Sequence, residues 1–244
     1  MTAVIPAAGR GTRFLPVTKV LPKEMLPIGS RPALELVIDE ARDAGAERIV
    51  VVISRGKELI REYFEGAPGV VFVYQEEQLG LGHAVLQAAS APGFPGTESG
   101  EKILVLLGDA LVAGCSASRE MLAVSVANGG ADVIGLERVP PEKVSRYGIA
   151  ELDGGRIVAL VEKPAPEEAP SDLAIAGRYL LDAAIFKKLA TQGPGRGGEV
   201  QLTDAIDAML HERTVFGCVY SGRRQDIGNP RGYFKALEAM GENT

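Results

Sequence analysis

The sequence predicts an α/β protein built on a mostly parallel central sheet with helices on both faces. Three observations predict it: short Val- and Ile-rich runs, helix-like segments between them, and a hairpin signal in the second half that adds antiparallel strands. The runs are Ala3 to Ile5, Ile49 to Ile53, Val70 to Tyr74, Ile103 to Leu107 and Ala131 to Leu136. Each is short and continuously apolar, as a strand covered on both faces must be. Between the first two, Leu34, Val37, Ile38 and Ala41 recur at helical spacing, with Ser30 placed to cap the helix and Gly45 to end it. Parallel neighbours need such a crossover, and ligands of these sheets collect at the carboxyl ends of the strands. Beyond about residue 140 the pattern changes: Ile149 to Leu152 and Arg156 to Val161 flank Asp153-Gly154-Gly155, which reads as a tight hairpin. A helix over Gly82 to Ala89, another over Gln201 to His211 and a strand over Val215 to Tyr220 complete the elements. Ala91 to Gly100 and Gln192 to Gly198 read as loops, the second Gly-rich enough to settle only around a ligand.

The chain has 244 residues, 46% of them hydrophobic, which is enough for one large core and predicts a single domain, residues 1–244. A net charge of −6 disfavours nucleic acid and anionic membranes as partners, so any anionic substrate has to be met by a local cluster of cations. Cys115 and Cys218 lack partners at disulfide or zinc spacing, which predicts a reduced, cytoplasmic setting. No apolar run approaches the ~20 residues of a membrane helix, and the start of the chain carries no leader pattern.

The required cations are concentrated after the first strand. Pro6-Ala7-Ala8-Gly9-Arg10-Gly11-Thr12-Arg13 is followed by Lys19 and Lys23, four basic residues in a short stretch of an acidic protein. Glycines let backbone N–H groups approach a phosphate and converge on it as an anion-binding nest. The spacing is neither that of a Walker loop nor that of a dinucleotide fingerprint. At the end of the fourth apolar run, Ile103 to Leu107, Gly108-Asp109 would deliver a carboxylate to the ligand-binding edge of the sheet, unless Asp109 merely caps the next segment.

Gly9-x-Gly11-Thr12-Arg13-x-x-Pro16-x-Thr18-Lys19-x-x-Pro22-Lys23-Glu24-Met25-Leu26-Pro27 resembles the signature of the bacterial sugar-1-phosphate nucleotidyltransferases. Lys23 to Pro27 resembles the glucose-1-phosphate uridylyltransferases in particular. Gln75 with Leu79 to Val85, Val161 to Pro164, Leu173 to Tyr179, Glu199 to Ile206 and Asp226 to Asn229 match further family motifs in the same order. The resemblance implies a Rossmann-like three-layer nucleotidyltransferase fold, with nucleotide bound by residues up to about 140 and sugar by the remainder. It implies transfer of a uridylyl group from UTP to glucose 1-phosphate, giving UDP-glucose and pyrophosphate, and a dimer or tetramer of identical chains.

The resemblance also implies roles. Ala7, Ala8 and Gly9 would bind the nucleotide, and Gly11, Thr12 and Arg13 would hold its triphosphate, Arg13 through forked contacts. Lys23 would face the α-phosphate and Lys163 the phosphate of the incoming sugar. Glu162, Gly148 and Gly177 would hold sugar hydroxyls, while Gln75 and the backbone at Gly80 would read the base. Mg²⁺ would be held by Asp109, with Asp226 as second ligand unless Arg223 and Arg224 engage it. His83 reads as an early helical residue, since direct phosphoryl displacement gives it no proton to move. Gly108-Asp109 stands where the uridylyl enzymes more usually have proline-aspartate, and the stretch between Phe64 and Val70 is brief. No hexapeptide-repeat extension follows, which disfavours the bifunctional acetyltransferase relatives. Two alternatives stay open: a thymidylyltransferase or other nucleotide-sugar synthase, and a sensor that binds nucleotide sugar without turnover.

Overall fold

The computed structural model describes residues 1–240. Its strands are β1 (Thr2–Pro6), β2 (Pro27–Ile28), β3 (Arg31–Pro32), β4 (Arg48–Ile53), β5 (Val70–Tyr74), β6 (Lys102–Leu106) and β7 (Ala110–Ala113), followed by β8 (Asp132–Arg138), β9 (Gly148–Asp153), β10 (Arg156–Glu162), β11 (Leu173–Asp182), β12 (Val215–Val219) and β13 (Arg223–Asp226). The helices are α1 (Ala33–Asp43), α2 (Glu58–Tyr63), α3 (Leu81–Gln87), α4 (Ala117–Ala127), α5 (Ile185–Thr191), α6 (Leu202–Leu210) and α7 (Pro230–Met240). All five apolar runs form strands, within two residues of the expected bounds.

One nine-stranded sheet runs in the order β5-β4-β1-β6-β11-β8-β12-β10-β9. The neighbours from β5 to β6 are parallel, as are β8 and β12, while β11 and β10 run against their neighbours. The sheet is thus mixed, with a parallel nucleus in the N-terminal half. Alternate residues of its strands enter two separate cores, which makes the fold three-layered. Ala3, Ile5, Ile49, Val51, Leu104 and Leu106 pack under α1 and α4; Val4, Val50, Val52, Ile103 and Val105 pack under α3, α5 and α6. Leu34, Val37, Ile38 and Ala41 form the buried stripe of α1, as their spacing requires. Full burial of each branched side chain contributes about 1.5–3 kcal/mol.

The start of α1 differs from expectation. Ser30 lies in the turn of the small β2–β3 hairpin, and the helix begins at Ala33 behind Pro32, with no side-chain cap. Pro32 occupies the N-cap position with an extended ψ of 142 and has no side chain that can accept, and the first helical N–H, that of Ala33, donates to Leu26 O at 3.0 Å instead. The other end is as predicted: Gly45 takes φ 88 and donates its N–H to Arg42 O at 2.8 Å, with Ala46 N on Ala41 O at 3.0 Å. The hairpin also matches: Asp153 pairs with Arg156, and Gly154 and Gly155 both have positive φ, 55 and 84, as a two-residue turn of this kind demands.

Three connections position the site. The segments after β1, β4, β5 and β6 all leave the same carboxyl edge of the parallel strands. β13 pairs with β7 so that Asp226 lies opposite Ala110, the residue after Asp109. Finally, β11 breaks register with β8 between Ile175 and Tyr179 and pairs with β9 through Leu173 and Ala174, which ties the Gly148/Glu162 end of the hairpin to the main sheet.

Candidate active site

A cleft of about 800 Å³ opens at this edge, and its walls include Arg13, Lys23, Asp109 and Lys163, drawn from segments far apart in the chain. Ala8, Gly9, Gly11, Thr12, Gln75 and Gly80 line it as well. After β1 the chain turns through Gly11, which takes φ 65; a Cβ there would sit 3.0 Å from Thr18 Cγ2. Thr18 Oγ1 in turn donates to Gly11 O at 2.9 Å, which holds the loop closed. Ala8 O accepts a 3.0 Å bond from Gln78 Nε2. Ala7 lies one layer deeper: its N–H donates to Val52 O at 2.7 Å and its carbonyl accepts from Lys57 Nζ.

The charges form a chain. Lys23 pairs with Asp109, and its other neighbour is Glu24, 4.0 Å away. Glu24 is buried and takes a 2.8 Å bond from Lys57 Nζ. Burial works against the Lys23 ammonium, but Asp109 and Glu24 outweigh it and hold the group above its usual value. Burial likewise pushes the Asp109 carboxyl up, and the adjacent Lys23 charge and hydrogen bond bring it below the usual carboxylate range. Lys57 is the exception: burial dominates and lowers it despite Glu24.

Asp109 and Asp226 face each other across Gly228. A Cβ at Gly228 would lie 2.9 Å from Asp226 Oδ1, 3.2 Å from Asp109 Oδ2 and 3.7 Å from Arg13 Nη1. Only a residue without a side chain leaves this gap open between two carboxylates. A magnesium ion bound by one or two carboxylates, substrate phosphates and water fits such a donor set. The carbonyl of Asp109 accepts from Ile227 N at 2.9 Å, which locks the two acidic segments together. Arg223 and Arg224 do not engage Asp226 as an ion pair: Arg224 turns to Glu137 at 2.6 Å and stacks on Tyr147 at 4.5 Å, while Asp226 Oδ1 accepts from Gly228 N at 2.8 Å. Asp109 precedes a strand and caps no helix.

On the opposite wall, Lys163 takes φ 48, the one positive φ at a non-glycine among the described residues. Such a conformation costs about 1–2 kcal/mol and is found where function holds a side chain in place. Its Nζ lies 3.0 Å from Glu162 Oε1, and Glu162 Oε2 accepts from Thr203 Oγ1 at 2.7 Å. Gly148 sits against this pair, since a Cβ there would be 3.2 Å from Glu162 Oε2. Gly177 lies behind the cleft wall, where its carbonyl accepts from Leu107 N at 3.0 Å and its φ of 78 has no room for a Cβ against Leu107.

The chain matches the model of the family described as nucleotidyl transferase over residues 2–243. The chain belongs to the nucleotidyl transferase family. Among its relatives, the UTP–glucose-1-phosphate uridylyltransferase YngB of Bacillus subtilis is 40% identical, with 98% of this chain and 89% of that protein aligned. A UTP–glucose-1-phosphate uridylyltransferase of Streptococcus pyogenes is also 40% identical, over 96% of this chain and 86% of that protein. A UDP-glucose pyrophosphorylase complexed with UDP-glucose superposes with TM-score 0.89 at 32% identity, covering 100% of this chain and 99% of that one. The UTP-bound enzyme from Acinetobacter baumannii gives 0.81 at 33% identity, covering 99% and 95%. The family resemblance read from the motifs and the α/β nucleotidyltransferase fold with its mixed sheet both stand.

Four residues of this nucleotidyl transferase site escaped the sequence reading: Lys57, Gln78, Glu199 and the buried side of Glu24. Lys57 follows β4 as Asp109 follows β6, so the rule that ligands gather at carboxyl ends of strands was its signal. Gln78 and Glu199 line the cleft from loops, where no periodicity marks them. Among the described residues no helix is long and apolar enough to cross a membrane, and no group of three or more His, Cys, Asp or Glu forms a metal cluster.

Proposed function

We propose that this enzyme transfers a uridylyl group from UTP to glucose 1-phosphate, releasing pyrophosphate. The observation that carries the reading is the convergence of Arg13, Lys23, Lys163 and Asp109 on one cleft. Two anions must be brought together and a departing pyrophosphate stabilised, which positioned cations accomplish without a covalent nucleophile. Ala8, Gly9, Gly11, Thr12 and Arg13 cradle the triphosphate, with Ala7 bracing the loop from the layer beneath and Gln75 and Gly80 at the base. Lys23 faces the α-phosphate. Lys163 holds the attacking phosphate of the sugar, and Glu162 with the backbone at Gly148 and Gly177 holds its hydroxyls. A phosphate oxygen of the sugar then attacks the α-phosphorus in line as the bond to pyrophosphate breaks.

Asp109 and Asp226 would hold Mg²⁺, which would neutralise and orient triphosphate oxygens. Lys23, which pairs with Asp109, would leave that carboxylate to turn its ammonium to the α-phosphate. The named activities of relatives at 40% identity support UTP as the nucleotide. The continuous sheet supports reading residues 1–244 as one catalytic domain. Free Cys115 and Cys218 fit a cytoplasmic setting, and we expect identical chains to assemble as a dimer or tetramer.

Pyrophosphate release measured with each of four nucleoside triphosphates, glucose 1-phosphate and Mg²⁺ tests the reading. UTP should turn over fastest. Strong preference for dTTP would reassign the nucleotide, and tight UDP-glucose binding without turnover would make the protein a sensor.

A further inference from the structure

Gln75 is buried at the cleft wall and its amide is held from behind. Nε2 donates to Gly80 O at 3.1 Å and lies 3.0 Å from His83 Nδ1. The Gly80 carbonyl can only accept, so the amide nitrogen and not the oxygen must face it. The same nitrogen therefore meets His83, and Nδ1 has to be the acceptor. On the far side of the ring, the amide of Gln87 lies 3.1 Å from His83 Nε2. A neutral imidazole accepts at one nitrogen and donates from the other. With Nδ1 accepting, Nε2 carries the proton, and Gln87 must present its oxygen to it. Exchanging the two amide atoms of Gln87 achieves this, at the cost of replacing the 3.3 Å bond to His83 O by an approach of two acceptors that a small turn of the Gln87 side chain relieves.

We propose that His83, as its Nε2–H tautomer, is a positioning residue that fixes the amide of Gln75 and thereby sets the choice of pyrimidine. This rests on the reading that Gln75 meets the base. With both N–H bonds of Gln75 engaged by Gly80 and His83, only Oε1 is left for the ligand, as an acceptor. Uracil presents a donor at N3 and matches it; cytosine presents a lone pair at N3 and is repelled. Without His83 the amide is freer to turn and offer Nε2 to cytosine. The backbone reinforces the arrangement: Gly80 takes φ 104, and a Cβ there would fall 2.7 Å from Glu199 Cβ and 2.8 Å from Val200 O, so the carbonyl that orients Gln75 is itself fixed.

His83→Leu should raise KM for UTP about tenfold, the loss of one hydrogen bond to a buried group, and lower the preference for UTP over CTP by a similar factor, with kcat little changed. His83→Asn, whose Oδ1 can occupy the place of Nδ1, should restore the preference. A general loosening of α3 would raise KM for both nucleotides alike and would not be repaired by Asn. Nitrogen NMR of the wild-type protein, with UTP and without it, reads the tautomer directly and does not depend on turnover, so it stands even if the uridylyl assignment fails. Protonated Nε2 with bare Nδ1 is the result expected. Protonated Nδ1, or an unaltered UTP-to-CTP ratio in folded His83→Leu, overturns the proposal.

Discussion

Replacing Arg178 by Met removes the cation of a deeply buried ion pair near the site. Arg178 is 0% exposed, and its guanidinium binds Glu40 through Nη2 at 2.7 Å and Nε at 3.1 Å, with Nη2 also donating to Ala110 O at 2.6 Å. Glu40 takes a further 2.6 Å bond from Ser118 Oγ. Removing one member strands a carboxylate in the core and an unmet carbonyl beside Asp109, at a cost of about 3–5 kcal/mol. In a chain of this size each kcal/mol moves Tm by about 2–4 °C, so the melting temperature should fall by roughly 6–20 °C. The double variant Arg178→Met/Glu40→Met removes both charges and should recover much of the loss, a coupling that a double-mutant cycle measures. The pH dependence follows. In the native protein burial pushes the Glu40 carboxyl up, but Arg178 and Ser118 outweigh it and hold it below its usual 4.5. Its stabilisation is therefore present above pH 4.5 and lost as pH falls through the folded value. In Arg178→Met only burial and Ser118 remain, so the gap in Tm between the two proteins should narrow below pH 4.5. A Tm drop of less than about 3 °C in the single variant, or simple additivity in the cycle, would refute the reasoning.

Lys23→Ala should lower kcat by about 100-fold or more while the protein stays folded, as single-turnover kinetics with saturating substrates would report. Gly228→Ala, which places a methyl between Asp226 and Asp109, should raise the Mg²⁺ concentration for half-maximal activity on the order of 10–100-fold; an unchanged requirement would remove Asp226 from the metal site. Lys57→Met should destabilise the fold by about 3–5 kcal/mol in urea titration, because buried Glu24 loses its closest cation. Lys163→Ala should raise KM for glucose 1-phosphate far more than KM for UTP, and equal effects on both would misplace the sugar phosphate.

Periodicity and turn chemistry carried most of the architecture. The five apolar runs read as buried strands and form them, the stripe on α1 faces a core, and the two consecutive glycines between β9 and β10 make the hairpin turn. Ser30 misled because a capping residue and a turn residue have the same chemistry, and here it turns the β2–β3 hairpin ahead of the helix. Arg224 was similarly ambiguous: two residues before Asp226 it shares that residue's face of β13, and it is Glu137 and the Tyr147 ring, brought in by the tertiary fold, that engage its guanidinium.

By itself, the sequence determined which residue types were on hand for phosphate chemistry: cations after the first strand, a carboxylate after the fourth long one, a lysine after the hairpin. These are local facts, set by strand ends and glycine turns. Only the tertiary structure decided that they share a cleft, because the pairing of β13 with β7, the register break in β11 and the burial of Lys57 against Glu24 join segments tens to hundreds of residues apart. Such contacts depend on how sheet layers pack, which no window of sequence contains.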